Sequence, residues 1–146
     1  MLQTTFIREN RDFTIAGLTK KHFKDAATAV DRVIELDQAR RDTQQKLDEV
    51  LTQANAKAKE IGALLKGGQK EAADSAKAET AQLKELSKSL EEQHKGLEAT
   101  LLDELAKLPN LPHASVPEGR VAEDNVTEYE SDNKPVLPEG ALPHWE

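Results

Sequence analysis

The sequence predicts an all-α protein: a long antiparallel two-helix coiled-coil hairpin, with short N-terminal helices before it and an extended C-terminal linker after it. Hydrophobic residues make up 37% of the 146 residues and aromatic residues only 3%, which is too little for a globular core of this length. Two long segments contain no proline and are separated by the paired glycines Gly67 and Gly68. Within both segments apolar residues alternate in steps of three and four, the spacing of a coiled-coil seam.

Residues 1–25 mix short apolar runs with polar breaks. We expect one or two short helices between Arg8 and Lys20. These helices are expected to pack against the base of the hairpin, which is the end far from Gly67 and Gly68.

The long helices are predicted at residues 26–66 and 70–108, because paired glycines favour a turn and Pro109 stops the second helix. The predicted seam of the first helix contains Val30, Val33, Asp37, Arg40, Gln44, Leu47, Leu51, Ala54, Ala58, Ile61 and Leu65. The predicted seam of the second contains Ala72, Ala76, Glu79, Leu83, Leu86, Leu90, Gln93 and Leu97.

Folding the chain back at the paired glycines sets the predicted register of the two helices. Leu47 then meets Leu90, and Gln44 meets Gln93, a polar pair of the kind that fixes register. Arg40 falls in the predicted seam, and we interpret it as one partner of a structural ion pair. Residues 1–108 are therefore predicted to form one helical arm. Residues 109–146 contain all six prolines and many acidic residues, which indicates a linker.

The net charge is −7, and most of the excess acid lies in the predicted linker. The absence of cysteine excludes a disulfide framework and a thiolate metal site. No apolar run is long enough to span a membrane or to act as a secretory signal, so a cytoplasmic location is expected by elimination. The histidines lack metal-ligand spacing, and no serine has a base near it in the sequence. We therefore predict no catalytic residue, no metal site and no cofactor within this segment.

Lysines are concentrated around the predicted turn, which is the tip of the hairpin. Lys70, Lys77 and Lys84 recur every seven residues. Such lysines can contact RNA phosphates from both helices, but no base-reading motif accompanies them. The ordinary alternative is a solvated helix face with no partner, which is the commoner meaning of lysines on a coiled coil.

Several motifs, in order along the chain, carry a resemblance to a known family. They are Met1-Leu2 with Ile7-Arg8-Glu9-Asn10, Leu36-Asp37 with Arg40-Arg41, Asn55 with Lys57, Lys59, Ile61 and Gly62, Pro109-Asn110-Leu111-Pro112-His113 with Ser115-Val116-Pro117-Glu118-Gly119 and Asp124-Asn125-Val126, and Pro143-His144-Trp145-Glu146. In this order and spacing the chain resembles the amino-terminal region of bacterial-type seryl-tRNA synthetases.

The resemblance implies a tRNA-binding arm that recognises the long variable arm of serine tRNA by shape and by phosphate contacts. The full enzyme then charges that tRNA with serine, using ATP and magnesium held by a catalytic domain outside residues 1–146. The implied partners are serine tRNA, the protein's own catalytic domain and the second subunit of a homodimer, with no membrane and no DNA. The residues expected to bind tRNA are Asn55, Lys57, Lys59, Lys66, Lys70, Lys77, Lys84 and Lys88.

A second hypothesis is a non-catalytic coiled-coil arm that binds proteins or acts like a chaperone. The net negative charge and the alanine-rich seam favour it. The proline-containing motifs after residue 108 favour the first hypothesis, because a generic coiled coil has no need of them.

Overall fold

The structure is a computed structural model that describes residues 2–142 and 145. Of the predicted motif at residues 143–146, only Trp145 is among the described residues, and Met1 also lies outside them. The chain divides into two compact units, one ending at Pro112 and the other beginning at His113.

The first unit contains four helices, and no residue in the described part of the chain forms a β-strand. Two short helices, α1 (Thr4–Glu9) and α2 (Arg11–Lys20), precede two long ones, α3 (Ala26–Lys66) and α4 (Lys70–Lys107). The two long helices pack against each other along the hairpin, and α1 and α2 contact α3 near the base. The predicted all-α fold class and antiparallel hairpin are confirmed, and the predicted bounds of the long helices hold to within one residue.

The turn between α3 and α4 is formed by backbone hydrogen bonds around the paired glycines. The Gly67 N–H donates to the Ala63 carbonyl at 3.0 Å, and the Gln69 N–H donates to the Leu64 carbonyl at 3.0 Å. Gly68 adopts a φ of +73°, a left-handed conformation that costs glycine little and other residues more. This single residue therefore lets the chain end one helix and begin the next within a few residues.

The hydrophobic core lies at the base, where α1 and α2 cover the hairpin. Pro109 ends α4, but the following residues stay packed: Leu111 contacts the core, and the Lys21 ammonium donates to the Asn110 carbonyl at 3.1 Å. The helical unit thus includes residues 109–112, which the sequence analysis assigned to the linker. The core consists of Ile7, Leu18, Ala26, Val30, Val33, Leu36, Leu101, Leu105 and Leu108.

The seam of the hairpin differs in part from the predicted one. The predicted seam of each helix consists of two rows, in each of which the residues are seven apart. One row on each helix is correct: Leu47, Ala54 and Ile61 on α3 and Ala76, Leu83 and Leu90 on α4 are all at least half-buried. The other predicted row is wrong throughout α4 and, on α3, from Leu51 onward, whereas Val30 and Asp37 of that α3 row are buried. The predicted residues that are exposed are Leu51, Ala58, Leu65, Ala72, Glu79, Leu86 and Gln93. Their places in the seam are taken by neighbours one residue away, which are Val50, Lys57, Leu64, Ala73, Thr80, Ser87 and His94.

The core at the base explains this change of phase. Leu36 and Leu101 are buried in the core, and both repeat in steps of seven through the seam that is observed. Steps of seven from Leu36 reach Val50 and Leu64, and steps of seven back from Leu101 reach Ser87. Large buried side chains at the base therefore fix the phase, and smaller or polar residues near the tip follow it.

The predicted polar pair between Gln44 and Gln93 is also wrong. The Gln44 amide donates to Asp48 on the same helix at 2.8 Å, and Gln93 is exposed. The predicted ion pair of Arg40 is confirmed, because its guanidinium lies 3.1 Å from the Asp37 carboxylate.

The second unit, residues 113–146, contains one short 3-10 helix, Ala122–Asp124, and its other described residues form turns, bends or extended chain. Asp124 accepts hydrogen bonds from the backbone N–H of Arg120 at 2.7 Å and of Val121 at 3.2 Å, and these bonds lower the pKa of its carboxyl group. All described side chains in this unit are exposed.

Candidate nucleic-acid interface

One flank of the hairpin is identified by an ion pair across the seam. The Lys57 ammonium on α3 lies 2.9 Å from the Glu79 carboxylate on α4 and 3.1 Å from Glu60 on its own helix. Hydrogen bonds with Glu79 and Glu60 raise the pKa of Lys57. We name this side the acidic flank and define it by Lys57, Glu60 and Glu79.

The other flank is the side on which α1 packs. Asp37 of α3 accepts a hydrogen bond from Arg8 of α1 at 2.7 Å, so the row of Asp37 faces α1. Residues seven apart stay on one side of a coiled coil, and this row leads toward the tip through Leu51 and Leu65. Both leucines are exposed, which places them beside the seam and not within it.

The lysine row of α4 belongs to the same side as α1. Glu98 of α4 lines a cleft together with Thr4 and Arg40 near the base. Steps of seven back from Glu98 reach Lys84, as well as Lys77 and Lys70. These three lysines therefore lie beside the seam, opposite the acidic flank.

The remaining predicted site residues can be placed by counting steps of four along each helix, because each such step moves about 40° around the helix. From Leu51, such steps lead to Asn55 and then to Lys59, progressively farther from the seam. On α4 the same step leads from Lys84 to Lys88. We name the surface that runs from this lysine row of α4 around to the outer face of α3 the lysine flank. Lys59 and Lys66 lie on that outer face, which points away from α4. The lysine flank contains Asn55, Lys59, Lys66, Lys70, Lys77, Lys84 and Lys88.

Of the eight predicted site residues, Lys70, Lys77, Lys84 and Lys88 share one side of α4. Asn55, Lys59 and Lys66 lie on the side and outer face of α3, and Lys57 lies across the seam on the acidic flank. Every member of the lysine flank is exposed. Lys77 pairs with Asp74 at 2.8 Å. Within residues 2–142 no ion pair engages the other lysines of this flank, so their charges are available to a partner. These lysines are Lys59, Lys66, Lys70, Lys84 and Lys88.

A cluster of arginines, which the sequence analysis did not assign to the site, lies on the same side nearer the base. Asp37 is 2% exposed and accepts from Arg8 at 2.7 Å and from Arg40 at 3.1 Å, and Arg41 lies 3.2 Å from it. Three guanidinium groups around one carboxylate leave an excess of positive charge. The sequence contained a signal for this cluster, because Arg40 and Arg41 lie three and four residues after Asp37.

Contrary to the expectation from the sequence, one serine among the described residues has a base beside it, because the Ser115 Oγ lies 3.0 Å from His113 Nδ1 in the exposed second unit. None of the described His, Asp and Glu side chains form a group of three or more that could hold a metal ion. A shallow groove on the acidic flank is lined by Lys57, Glu60, Glu79, Leu83 and Leu86, among others. No helix among the described residues combines the length and the hydropathy needed to cross a bilayer.

The fold and the lysine flank define a class of protein: a helical hairpin arm with one basic side. Residues 1–112 match the family model described as the seryl-tRNA synthetase N-terminal domain, and the chain belongs to that family. The resemblance inferred from the sequence motifs is thereby confirmed.

Curated relatives extend the match over the whole chain. A serine–tRNA ligase of Rhizobium etli strain CIAT 652 is 36% identical over 146 residues, and one of Mycoplasma mycoides is 32% identical over the same length. The match covers 100% of this chain and 34% of each relative, so the chain spans about a third of their length. Among solved structures, seryl-tRNA synthetase from Pyrococcus horikoshii complexed with ATP is similar, with a TM-score of 0.78 and 29% identity over 86% of this chain and 28% of that one.

Proposed function

We propose that this hairpin is the tRNA-binding arm of a serine–tRNA ligase and that its lysine flank binds the phosphate backbone of serine tRNA. The observation that carries the proposal is the collection of seven predicted site residues on one flank, five of them lysines that no ion pair among the described residues neutralises. Family membership and the ligase activity named for the relatives support the same assignment.

The recognition mode follows from the geometry of an extended rod. Lys70, Lys77 and Lys84 repeat at about 10 Å along α4, so each meets a different part of an RNA backbone. Double-helical RNA is read mainly by its shape, its phosphates and its 2′-hydroxyls. A straight row of flexible ammonium groups suits the long variable arm of serine tRNA, a double-helical feature that distinguishes it by shape.

The remaining parts of the proposal concern the longer protein. Residues 113–146 would connect the arm to a catalytic domain outside this segment, because the relatives are about three times as long as this chain. ATP and magnesium would bind to that domain, as membership of the seryl-tRNA synthetase family implies. The same assignment places the arm in a cytoplasmic homodimer, where it would present tRNA to an active site.

A second candidate function, a protein-interaction arm, has one observation in its favour. Leu83 and Leu86 line the groove of the acidic flank, and Leu86 is 48% exposed, so the groove offers contiguous apolar surface of the kind that protein partners use. The lysine flank and the family membership favour RNA.

The test is binding of this chain to serine tRNA, with and without its long variable arm, at two salt concentrations. We expect tight, salt-sensitive binding that is lost when the variable arm is removed. Replacing Lys84 and Lys88 by glutamine is expected to weaken binding by about tenfold or more and to lower the salt dependence by roughly one to two counterions.

Lys57→Gln is the matched control, because it removes a lysine from the opposite flank of the same region. We expect its affinity for tRNA to stay within about twofold of the parent chain. Circular dichroism would show that all variants keep their helicity. Equal losses for Lys57→Gln and for the double variant would contradict the assignment of the lysine flank. A stoichiometric protein partner recovered without tRNA would support the second candidate instead.

A further inference from the structure

Gly62 lies in the interior of α3, at a position where no contact among the described residues requires a glycine. It is exposed, and a Cβ built on it would meet no atom within 4 Å. Its backbone is helical and is not among the glycines with positive φ. Glycine destabilises a helix interior relative to alanine. The missing side chain therefore has neither a conformational nor a packing reason within the described part of the molecule.

The neighbours of Gly62 on the helix surface suggest the reason. Residues three and four apart are adjacent on a helix, so Lys59 and Lys66 lie on either side of Gly62 along the outer edge of the lysine flank. Neither lysine makes an ion pair with any described residue. Ala58 and Leu65 adjoin Gly62 on the side toward the seam. The result is a patch of bare helix backbone between two available ammonium groups.

We propose that Gly62 is the point at which the RNA sugar–phosphate backbone approaches α3 most closely, with Lys59 and Lys66 contacting phosphates on either side. This inference rests on the proposed function and adds a positioning residue to it. A glycine lets a ligand come within contact distance of a helix backbone. Any side chain at this position would hold the RNA away from the helix and lengthen the contacts of both lysines.

Gly96 provides a matched control within the same molecule. It is also exposed in the interior of a long helix, and a Cβ on it would likewise meet no atom within 4 Å. Its neighbours three and four residues away include Glu92 and no lysine. Equivalent substitutions at Gly62 and Gly96 therefore have the same effect on helix propensity but different effects on a basic surface.

The experiment compares Gly62→Ala, Gly62→Gln, Gly96→Ala and Gly96→Gln in the 146-residue chain. Thermal unfolding is followed by circular dichroism, and affinity for serine tRNA is measured by filter binding. Both alanine variants are expected to raise the unfolding temperature by roughly 5 °C. Gly62→Ala is expected to weaken tRNA binding by about threefold and Gly62→Gln by about tenfold or more, while the Gly96 variants bind like the parent chain.

The outcomes separate the inference from the proposed function. If the parent chain binds serine tRNA and Gly62→Gln binds equally well, the close approach at Gly62 is refuted while tRNA binding by the arm stands. The same conclusion follows if Gly96→Gln weakens binding as much as Gly62→Gln. If the parent chain itself fails to bind serine tRNA, the proposed function fails and the inference fails with it.

Discussion

Replacing Asp37 by asparagine is expected to lower the free energy of unfolding of the hairpin by about 3 kcal/mol. The Asp37 side chain is 3% exposed, and its carboxylate is shared by Arg8, Arg40 and Arg41 at 2.7, 3.1 and 3.2 Å. Removing one partner of a fully buried ion pair costs roughly 3–5 kcal/mol. Water can partly rehydrate these arginines, which are 28–41% exposed, so the lower end of that range applies.

Asp31→Asn is the control for this prediction. Asp31 accepts two hydrogen bonds from Arg11, at 2.6 and 2.7 Å, which are at least as short as those of Asp37. Both side chains of that pair are about 45% exposed, and exposed ion pairs contribute little because water and salt screen them. The two variants therefore separate the effect of burial from the effect of contact distance.

Urea unfolding followed by circular dichroism measures both effects. With an m value of about 2 kcal/mol/M, the Asp37→Asn midpoint is expected to fall by about 1.5 M. The Asp31→Asn midpoint is expected to move several-fold less. Equal shifts would refute the reasoning, because they would show that contact distance and not burial determines what each carboxylate contributes.

Three further predictions test the seam, the turn and a surface ion pair. Val50→Ala is expected to lower the free energy of unfolding by about 1.5 kcal/mol and Leu51→Ala by less than half of that, because Val50 is 8% and Leu51 39% exposed. A larger loss for Leu51→Ala in urea unfolding would support the predicted seam instead. Gly68→Ala is expected to cost about 1 kcal/mol through its positive φ while Gly67→Ala is nearly neutral, and equal unfolding temperatures for the two would contradict the turn geometry. The hydrogen bonds from the Arg11 guanidinium lower the pKa of the Asp31 carboxyl group. The stability lost in Asp31→Asn should therefore be seen above about pH 4 and disappear as the pH falls through the lowered pKa. Thermal unfolding at pH 7 and pH 2 that shows the same difference between Asp31→Asn and the parent chain would contradict this.

The positions of the long helices were predictable because glycine and proline residues mark their ends in the sequence. Gly67 and Gly68 mark the tip, and Pro109 follows the end of α4 at Lys107 by two residues. The apolar repeat between these marks admits only helices, since a strand would require alternation. The observed bounds therefore agree with the predicted ones.

The phase of the seam was not predictable from local hydrophobicity. Val50 stands beside Leu51, so the α3 sequence offers two apolar rows of similar quality. On α4 the exposed Leu86 is more hydrophobic than its partly buried neighbour Ser87, which reverses the expected choice. Long-range packing at the base decides the phase, and a sequence pattern read in short windows does not contain that information.

The sequence also did not indicate that Lys57 lies apart from the other lysines. A lysine is rarely assigned to a seam, yet its aliphatic stem can lie over apolar surface while the ammonium reaches out to a carboxylate. Here the ammonium reaches Glu79 across the seam at 2.9 Å. The sequence grouped this residue with the other lysines because they share a charge, whereas the structure separates them by flank.

The phase of the seam also determines where the lysine row of α4 lies. With Ser87 and Thr80 in the seam, Lys84 and Lys77 lie directly beside α3, next to its row of Leu51, Ala58 and Leu65. If Leu86 occupied the seam instead, α4 would rotate by about 50°, and its lysine row would turn toward the outer face of that helix, away from α3. The phase that exposes Leu51 and Leu86 is therefore also the phase that holds the lysine row of α4 beside α3. Because the base core sets this phase, substitutions that repack the base should alter the binding surface near the tip without touching any of its residues.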